Sequence, residues 1–161
     1  MWQSLKPFFE WNDKSWLGQA IADTIWAFPV IETIHILALT MMFGAIVIID
    51  LRMMGLGMKK QSVAVLAKNL EPYMTWGMLI MLGTGYMLFC SEAMKCFVND
   101  GFKFKMAVLF PAIIFQFTLF RWVTHKDEGK RPMLLGWLVA LLSLTLWFGV
   151  GAGGRWIGFS G

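Results

Sequence analysis

The chain has 161 residues, of which 58% are hydrophobic and only 15% charged, with a mean hydropathy of +0.62. A soluble domain of this length normally carries about a quarter charged residues and spreads them along its elements, whereas here they are pushed to the ends of long apolar runs. The formal charge of +4 and a pI near 9.2 do not point to nucleic acid, because Lys and Arg sit at the junctions between apolar segments, where they read as topology and as contact with anionic lipid head groups.

These features predict an all-α, polytopic membrane protein: a four-helix transmembrane bundle in residues 24–161, preceded by an amphipathic interfacial segment in residues 1–23. Thirteen Met, fourteen Phe and nine Trp suit lipid contact and irregular packing between helices, and do not by themselves mark a cofactor. In residues 1–23, Trp2, Leu5, Phe8, Phe9, Trp16, Leu17 and Ile21 recur at roughly helical spacing among Lys6, Glu10, Asp13 and Lys14. That pattern predicts one or two short helices lying in the interface, with Pro7 opening a helix and Gly18 loosening its end. Glu10 and Asp13 interrupt any continuous apolar centre, so the segment does not read as a signal peptide.

The first span is predicted over residues 25–49, with Pro29 in its first turns, and Asp50 and Arg52 close it. Residues 59–71 read as a polar-apolar stretch lying against the membrane. Pro72 then introduces the second span, residues 73–91, where Thr75, Gly77, Gly83, Thr84 and Gly85 offer small surfaces for close helix contact. The third span, residues 104–122, contains Pro111 and Gln116, and the proline predicts a bend near residues 107–111. The fourth covers residues 133–150 and ends in GAGGRWIGFSG, whose glycines predict a loose exit from the helix.

Charge bias predicts the topology. Arg52, Lys59, Lys60 and Lys68, then Arg121, Lys126, Lys130 and Arg131, load the first and third connections. Lys95, Lys103 and Lys105 fall in the second, Lys6 and Lys14 precede the first span, and Arg155 follows the last. The excess on the first and third connections places both termini outside the cytoplasm, on the periplasmic side of a bacterial inner membrane.

Glu32 and His35 are the most informative polar pair, one helical turn apart and inside the first span, where ionisable groups are expected to pair or face the bundle interior. They read either as a hydrogen-bonded packing pair or as a site in which His35 binds haem iron or copper and Glu32 orients it or carries a proton. Since the chain has only two histidines and His125 belongs to the opposite end, one haem b cannot take both within one chain. The separation from His35 to Asp50 alone is roughly 22 Å of helix rise. Met78, Met81, Met87 and Met106 are candidate thioether ligands for such a haem. Copper, the lesser alternative, would use His35 with Met or Cys.

Cys90 and Cys96 can form a disulfide only if the helix ends between them, since six helical positions separate them by roughly 9 Å of rise; otherwise they are inert thiols or, less readily, a metal or redox pair. Arg52 is expected to reach lipid phosphate and Asp50 to meet Arg121 or, less readily, Lys105, as interfacial structural groups, with proton or substrate passage as the alternative role.

The segment ETIHILALTMMFGAIVIIDLRMMGLG resembles a family of small bacterial four-span membrane proteins whose first span carries E-T-x-H-x-L, then G and D-L-R-x-x-G. Glu32, Thr33, His35, Leu37, Gly44, Asp50, Leu51, Arg52 and Gly55 match, and the likeness extends through NDGFKFKMAVL to Gly154 and Arg155. Where relatives carry another histidine near the end of the third span, this chain has FQFTLFRW, with Gln116 and Arg121, so the resemblance does not carry over a bis-histidine haem site. It implies the architecture and no particular reaction.

The expected function is an accessory or structural subunit of an inner-membrane complex, redox-related, contacting lipid and other membrane subunits or a second copy. The alternatives are a haem b electron carrier using His35 and a copper or proton-linked transporter. Nothing resembles a nucleotide loop, a zinc protease motif or a nucleophile-base set, so an independent enzyme is not expected.

Overall fold

The computed structural model describes residues 2–57, 60–126 and 132–159, which are overwhelmingly helical and contain no strand. A 3-10 turn, Trp2–Leu5, leads into α1 (Lys6–Asp13) and α2 (Trp16–Ala22). The long helices α3 (Ala27–Met53) and α4 (Val63–Ser91) follow, then the short α5 (Ala93–Val98). The third long run is α6 (Asp100–Phe115), continued through a π-helical segment (Gln116–Phe120) into α7 (Arg121–Thr124); α8 (Met133–Phe159) is the fourth.

The four long runs, 25 to 29 residues each, are long and apolar enough to cross a membrane. At about 1.5 Å per residue they exceed the roughly 30 Å of hydrocarbon. The chain is a multi-pass membrane protein with a four-span bundle. In lipid this is the economical solution, because a helix satisfies its backbone N–H and C=O groups within itself.

Two spans begin or end where the sequence pattern does not place them. α4 starts at Val63, not after Pro72, and runs through the proline; residues 63–71 are part of the helix rather than a separate surface stretch. The Ser62 hydroxyl accepts the Val65 N–H and caps the start. Val63, Leu66 and Ala67 then continue the buried face of Met74, Gly77, Met78 and Met81, so packing outweighs the hydrogen bond that proline removes. At the other end of the chain, GAGGRWIGF remains helical as far as Phe159. Gly153 lies against α6, where a Cβ would stand 3.0 Å from the Lys105 Cβ, so the missing side chain lets the two helices meet. In the third span α6 passes through Pro111, and the departure from α geometry comes at Gln116–Phe120 instead of at residues 107–111.

α3 packs along α4, α6 packs along α8, and the α3–α8 contact joins the two pairs. Ala38, Met42, Ala45, Ile46, Ile49, Asp50 and Met53 form the buried stripe of α3, while Gly136, Val139, Ala140, Ser143, Trp147, Val150 and Gly153 form that of α8. Both follow helical spacing. Only 28 to 33% of the most apolar stretch of each span is buried within the chain, so most of each helix faces outward, toward lipid or another protein.

The amino-terminal helices fold back on the ends of α4 and α5. Phe9 is buried with its ring centroid 5.2 Å from those of both Phe89 and Phe97, and the Trp2 indole donates to the Phe97 carbonyl at 2.8 Å. Asn12, fully buried, accepts the Tyr86 hydroxyl at 2.9 Å. Phe9 and Ile21 of this segment are thus buried against protein, while Leu5 and the aromatic Phe8, Trp11 and Trp16, with Trp26 just beyond, stay exposed at the same end, as aromatic residues do at a membrane interface.

The closest approach of α3 and α4 is at Gly77, where a Cβ would lie 2.9 Å from the Met42 Cβ and 3.0 Å from the Ala38 carbonyl oxygen. Gly83, on the same helix, has nothing within 4 Å of that position. Gly77→Ala is expected to destabilise the protein by about 1–3 kcal/mol through overpacking. Gly83→Ala should be neutral or slightly stabilising. Thermal unfolding of the two variants in the same detergent distinguishes them.

Candidate functional site

His35 stands at the edge of the buried stripe of α3, half-buried against α4. Its Nδ1 lies 3.0 Å from the Thr84 hydroxyl oxygen. That hydroxyl gives its own proton to the Ile80 carbonyl at 2.6 Å, so its oxygen acts as an acceptor toward the ring. The Met81 carbonyl is a second acceptor beside the imidazole. The Thr84 acceptor puts the proton of the neutral ring on Nδ1 and leaves the Nε2 lone pair without a partner among the described residues. Gly85 makes the arrangement possible, since a Cβ there would come within 3.1 Å of the ring Cε1.

Lys105, from α6, lies close enough to act electrostatically on His35. Its stem runs over Gly153 and its ammonium near Gly154, and it has no ion-pair partner among the described residues. One polar group from each of α3, α4 and α6, with two glycines of α8, thus meets at the end of the bundle that carries the termini. Met78 and Met81 are buried on α4.

Glu32 does not share this site. The expectation that it turns inward with His35 fails, because its side chain is exposed on the outer surface of the bundle. Ile31, the neighbouring residue, occupies the buried face, and one step along a helix rotates the next side chain about 100° away from it.

The opposite end holds a second polar set that the sequence reading left unassembled. Glu71, near Pro72 in α4, receives the Arg121 guanidinium at 2.7 Å and lies 3.5 Å from His125 Nε2. Arg121 is therefore not the partner of Asp50. Asp50 is fully buried and forms no ion pair with a described residue, so the partnership expected with a basic side chain is not formed there. Arg52 does not depend on lipid phosphate alone: its Nε donates to the Gln61 carbonyl at 2.6 Å and ties down the α3–α4 connection. Lys59, Lys130 and Arg131, which enter the charge bias, lie outside the described residues.

Between these ends, Gln116 opens the π-helical segment and is buried. Its Oε1 accepts the Trp147 indole N–H at 3.2 Å, and its Nε2 points to the Met74 sulfur at 3.7 Å. It links α8 to α4 across the third span, beside a cavity of about 20 Å³ between Met74, Phe120 and Arg121. That volume suits a single water.

Cys90 and Cys96 are free thiols, both buried, and no disulfide joins them. The helix does end between them, at Ser91, yet Cys90 faces Asn12 while Cys96 packs with Phe9, Ala93 and Phe97. Burial, reinforced by the Glu92 charge, pushes the Cys96 thiol up to about 11. Among the described residues, no three His, Cys, Asp or Glu side chains gather as a metal cage.

The profile of a family of unknown function, DUF6644, matches residues 8–160. The chain belongs to that family. No curated protein and no solved structure matches it. The DUF6644 match covers His35, Thr84, Lys105, Asp50, Gln116 and the Glu71–Arg121 pair alike, so it embraces both polar ends of the bundle without assigning a role to either.

Thr84, Glu71 and Ser143 are candidates that the sequence pattern did not single out, and Lys105 was legible only as an alternative partner of Asp50. The threonine was legible only as a small residue, and the others become a group only when distant helices meet.

Two measurements test this geometry. Gln116→Leu strands the Trp147 N–H in an apolar core and is expected to cost about 1–3 kcal/mol, whereas combining it with Trp147→Phe should cost less than the sum of the single changes; thermal unfolding of the double-mutant cycle reads this. Alkylation of Cys96 requires the thiolate, so with the thiol held near 11 it should be slow in neutral buffer and accelerate as the pH climbs toward that value. Mass mapping of iodoacetamide adducts over a pH series checks it.

Proposed function

We propose that this chain is a membrane-embedded subunit of a bacterial inner-membrane redox complex and that it holds one haem b through His35. The observation that carries the reading is the held imidazole: Nδ1 is engaged by Thr84, the Met81 carbonyl lies beside the ring, and Nε2 has no partner among the described residues. A histidine that ligates a metal commonly donates its other nitrogen in this way, which fixes the ring and raises its basicity. When bound, a haem supplies a one-electron couple.

The chain's own residues divide the work. His35 would offer Nε2 to the iron, Thr84 sets the ring orientation, and Gly85, lacking a Cβ, leaves room for the ring. The Lys105 ammonium, without an ion-pair partner among the described residues, suits a propionate carboxylate. Met78 and Met81 are the thioethers available in the buried face of α4. Copper is the weaker choice, because no three His, Cys, Asp or Glu side chains gather as a metal cage among the described residues.

A second reading, a packing subunit without a cofactor, is favoured by the outward-facing majority of every span and by the exposed Trp11, Trp16 and Trp26. In both readings the Lys and Arg excess on the first and third connections supports an orientation with the termini, and with them the His35 end, on the periplasmic side.

The untagged protein, isolated in mild detergent, is expected to show a reduced-minus-oxidised haem b spectrum. His35→Ala should abolish it, and Thr84→Ala should weaken haem retention by about 10- to 100-fold. Absence of haem from the wild-type protein removes the carrier reading and leaves the packing subunit, which should then co-purify with a membrane partner.

A further inference from the structure

Asp50 stands in the inward stripe of α3, next to Ile46, Ile49 and Met53, with none of its surface exposed. Ser143, also fully buried, stands midway along the inward stripe of α8. The two side chains neighbour each other across the α3–α8 seam. Neither carboxyl oxygen of Asp50 nor the Ser143 hydroxyl completes a hydrogen bond with a described residue.

The serine is informative on its own account. Hydroxyls within helices usually return their proton to the carbonyl one turn back, and Thr33, Thr40, Thr118 and Thr145 all do so here. Ser143 does not. Two buried, unpartnered polar groups from two helices therefore converge on one place, and the seam they occupy is the contact that joins the α3–α4 pair to the α6–α8 pair.

Among the described residues, charged side chains on the elements packed against Asp50 do not neutralise it. On α4, Lys68 and Tyr73 are exposed and Glu71 is engaged by Arg121 and His125. On α8 the one charged residue is Arg155, near the other end of the helix. On α3 itself, Arg52 reaches the Gln61 carbonyl. A lone carboxylate sealed in such a seam is unfavourable and must gain a positive partner. The donor set decides which: Asp50 and Ser143 supply three oxygens, whereas hard cations such as Mg²⁺ and Ca²⁺ take about six to eight. A proton needs only one oxygen, and it converts the carboxyl into the donor that the Ser143 oxygen lacks.

We propose that Asp50 is a proton-binding site within the α3–α8 seam. The carboxyl takes its proton from water and shares it with the Ser143 oxygen, and it returns the proton to water only when the seam opens enough to hydrate the carboxylate. Proton uptake thereby locks the two helix pairs together, and release loosens them. This site stands apart from His35 and does not require a haem.

The test is the acid-minus-alkaline infrared difference spectrum of the intact protein in phosphatidylcholine vesicles. The expected result is a carboxylic acid C=O band that is absent from Asp50→Asn, displaced in Ser143→Ala, and unchanged when sodium replaces choline in the buffer. Asparagine matches the shape of the neutral acid, and the serine variant provides an independent reading should the asparagine variant fail to fold. A difference spectrum identical in wild type and both variants overturns the proposal, and a band erased by sodium replaces the proton with a metal cation. His35→Ala should leave the band in place, so that failure of the haem reading and failure of this one are separate results.

Discussion

The bundle depends on α3 having two neighbours at once. Along one side it meets α4 so closely that Gly77, set against Ala38 and Met42, has no room for a side chain, and along another it meets α8, where Asp50 neighbours Ser143. In hydrocarbon, apolar side chains gain little by leaving lipid for protein, so such contacts rest on close packing and on the few polar groups that cross between helices. Those polar groups are correspondingly concentrated. Thr84 with His35, Trp147 with Gln116 and Arg121 with Glu71 each join two different spans.

The same economy explains why the two ends of the bundle differ chemically. At the end carrying the termini, the amino-terminal helices cover α4 and α5 with aromatic rings, and the groups beneath are neutral or cationic: Thr84, His35 and Lys105. At the other end an acidic residue of α4 collects two basic side chains from α7 and the turn after it. An imidazole with one nitrogen held and the other unpartnered among the described residues belongs to the first set, and a sealed carboxyl belongs to the seam between α3 and α8.

Much of the architecture was legible in the chain itself. Four apolar runs separated by charged junctions dictate four helices, because no other secondary structure of that length hides its backbone from lipid. The limits of those helices were less legible. Pro72 and the glycines after Val150 are poor helix residues by intrinsic preference, yet α4 begins nine residues before the proline and α8 continues through the glycines. Local propensity is a weak prior where a buried face on either side rewards continuing the helix.

The site divides along the same line. That His35 is an intramembrane polar residue of functional interest follows from its place in an apolar run, since hydrocarbon makes such a group costly anywhere. Which nitrogen is held, by which helix, and that Glu32 faces outward while Asp50 is sealed inside depended on the rotation of α3 against α4 and α8. Linear spacing specifies angles within one helix and is silent about the neighbours that each angle meets. The sequence by itself therefore determined the number of spans, their apolar character and the rarity of polar groups within them; only tertiary packing decided which polar groups are partners, because partnership is a property of two helices whose relative rotation neither encodes alone.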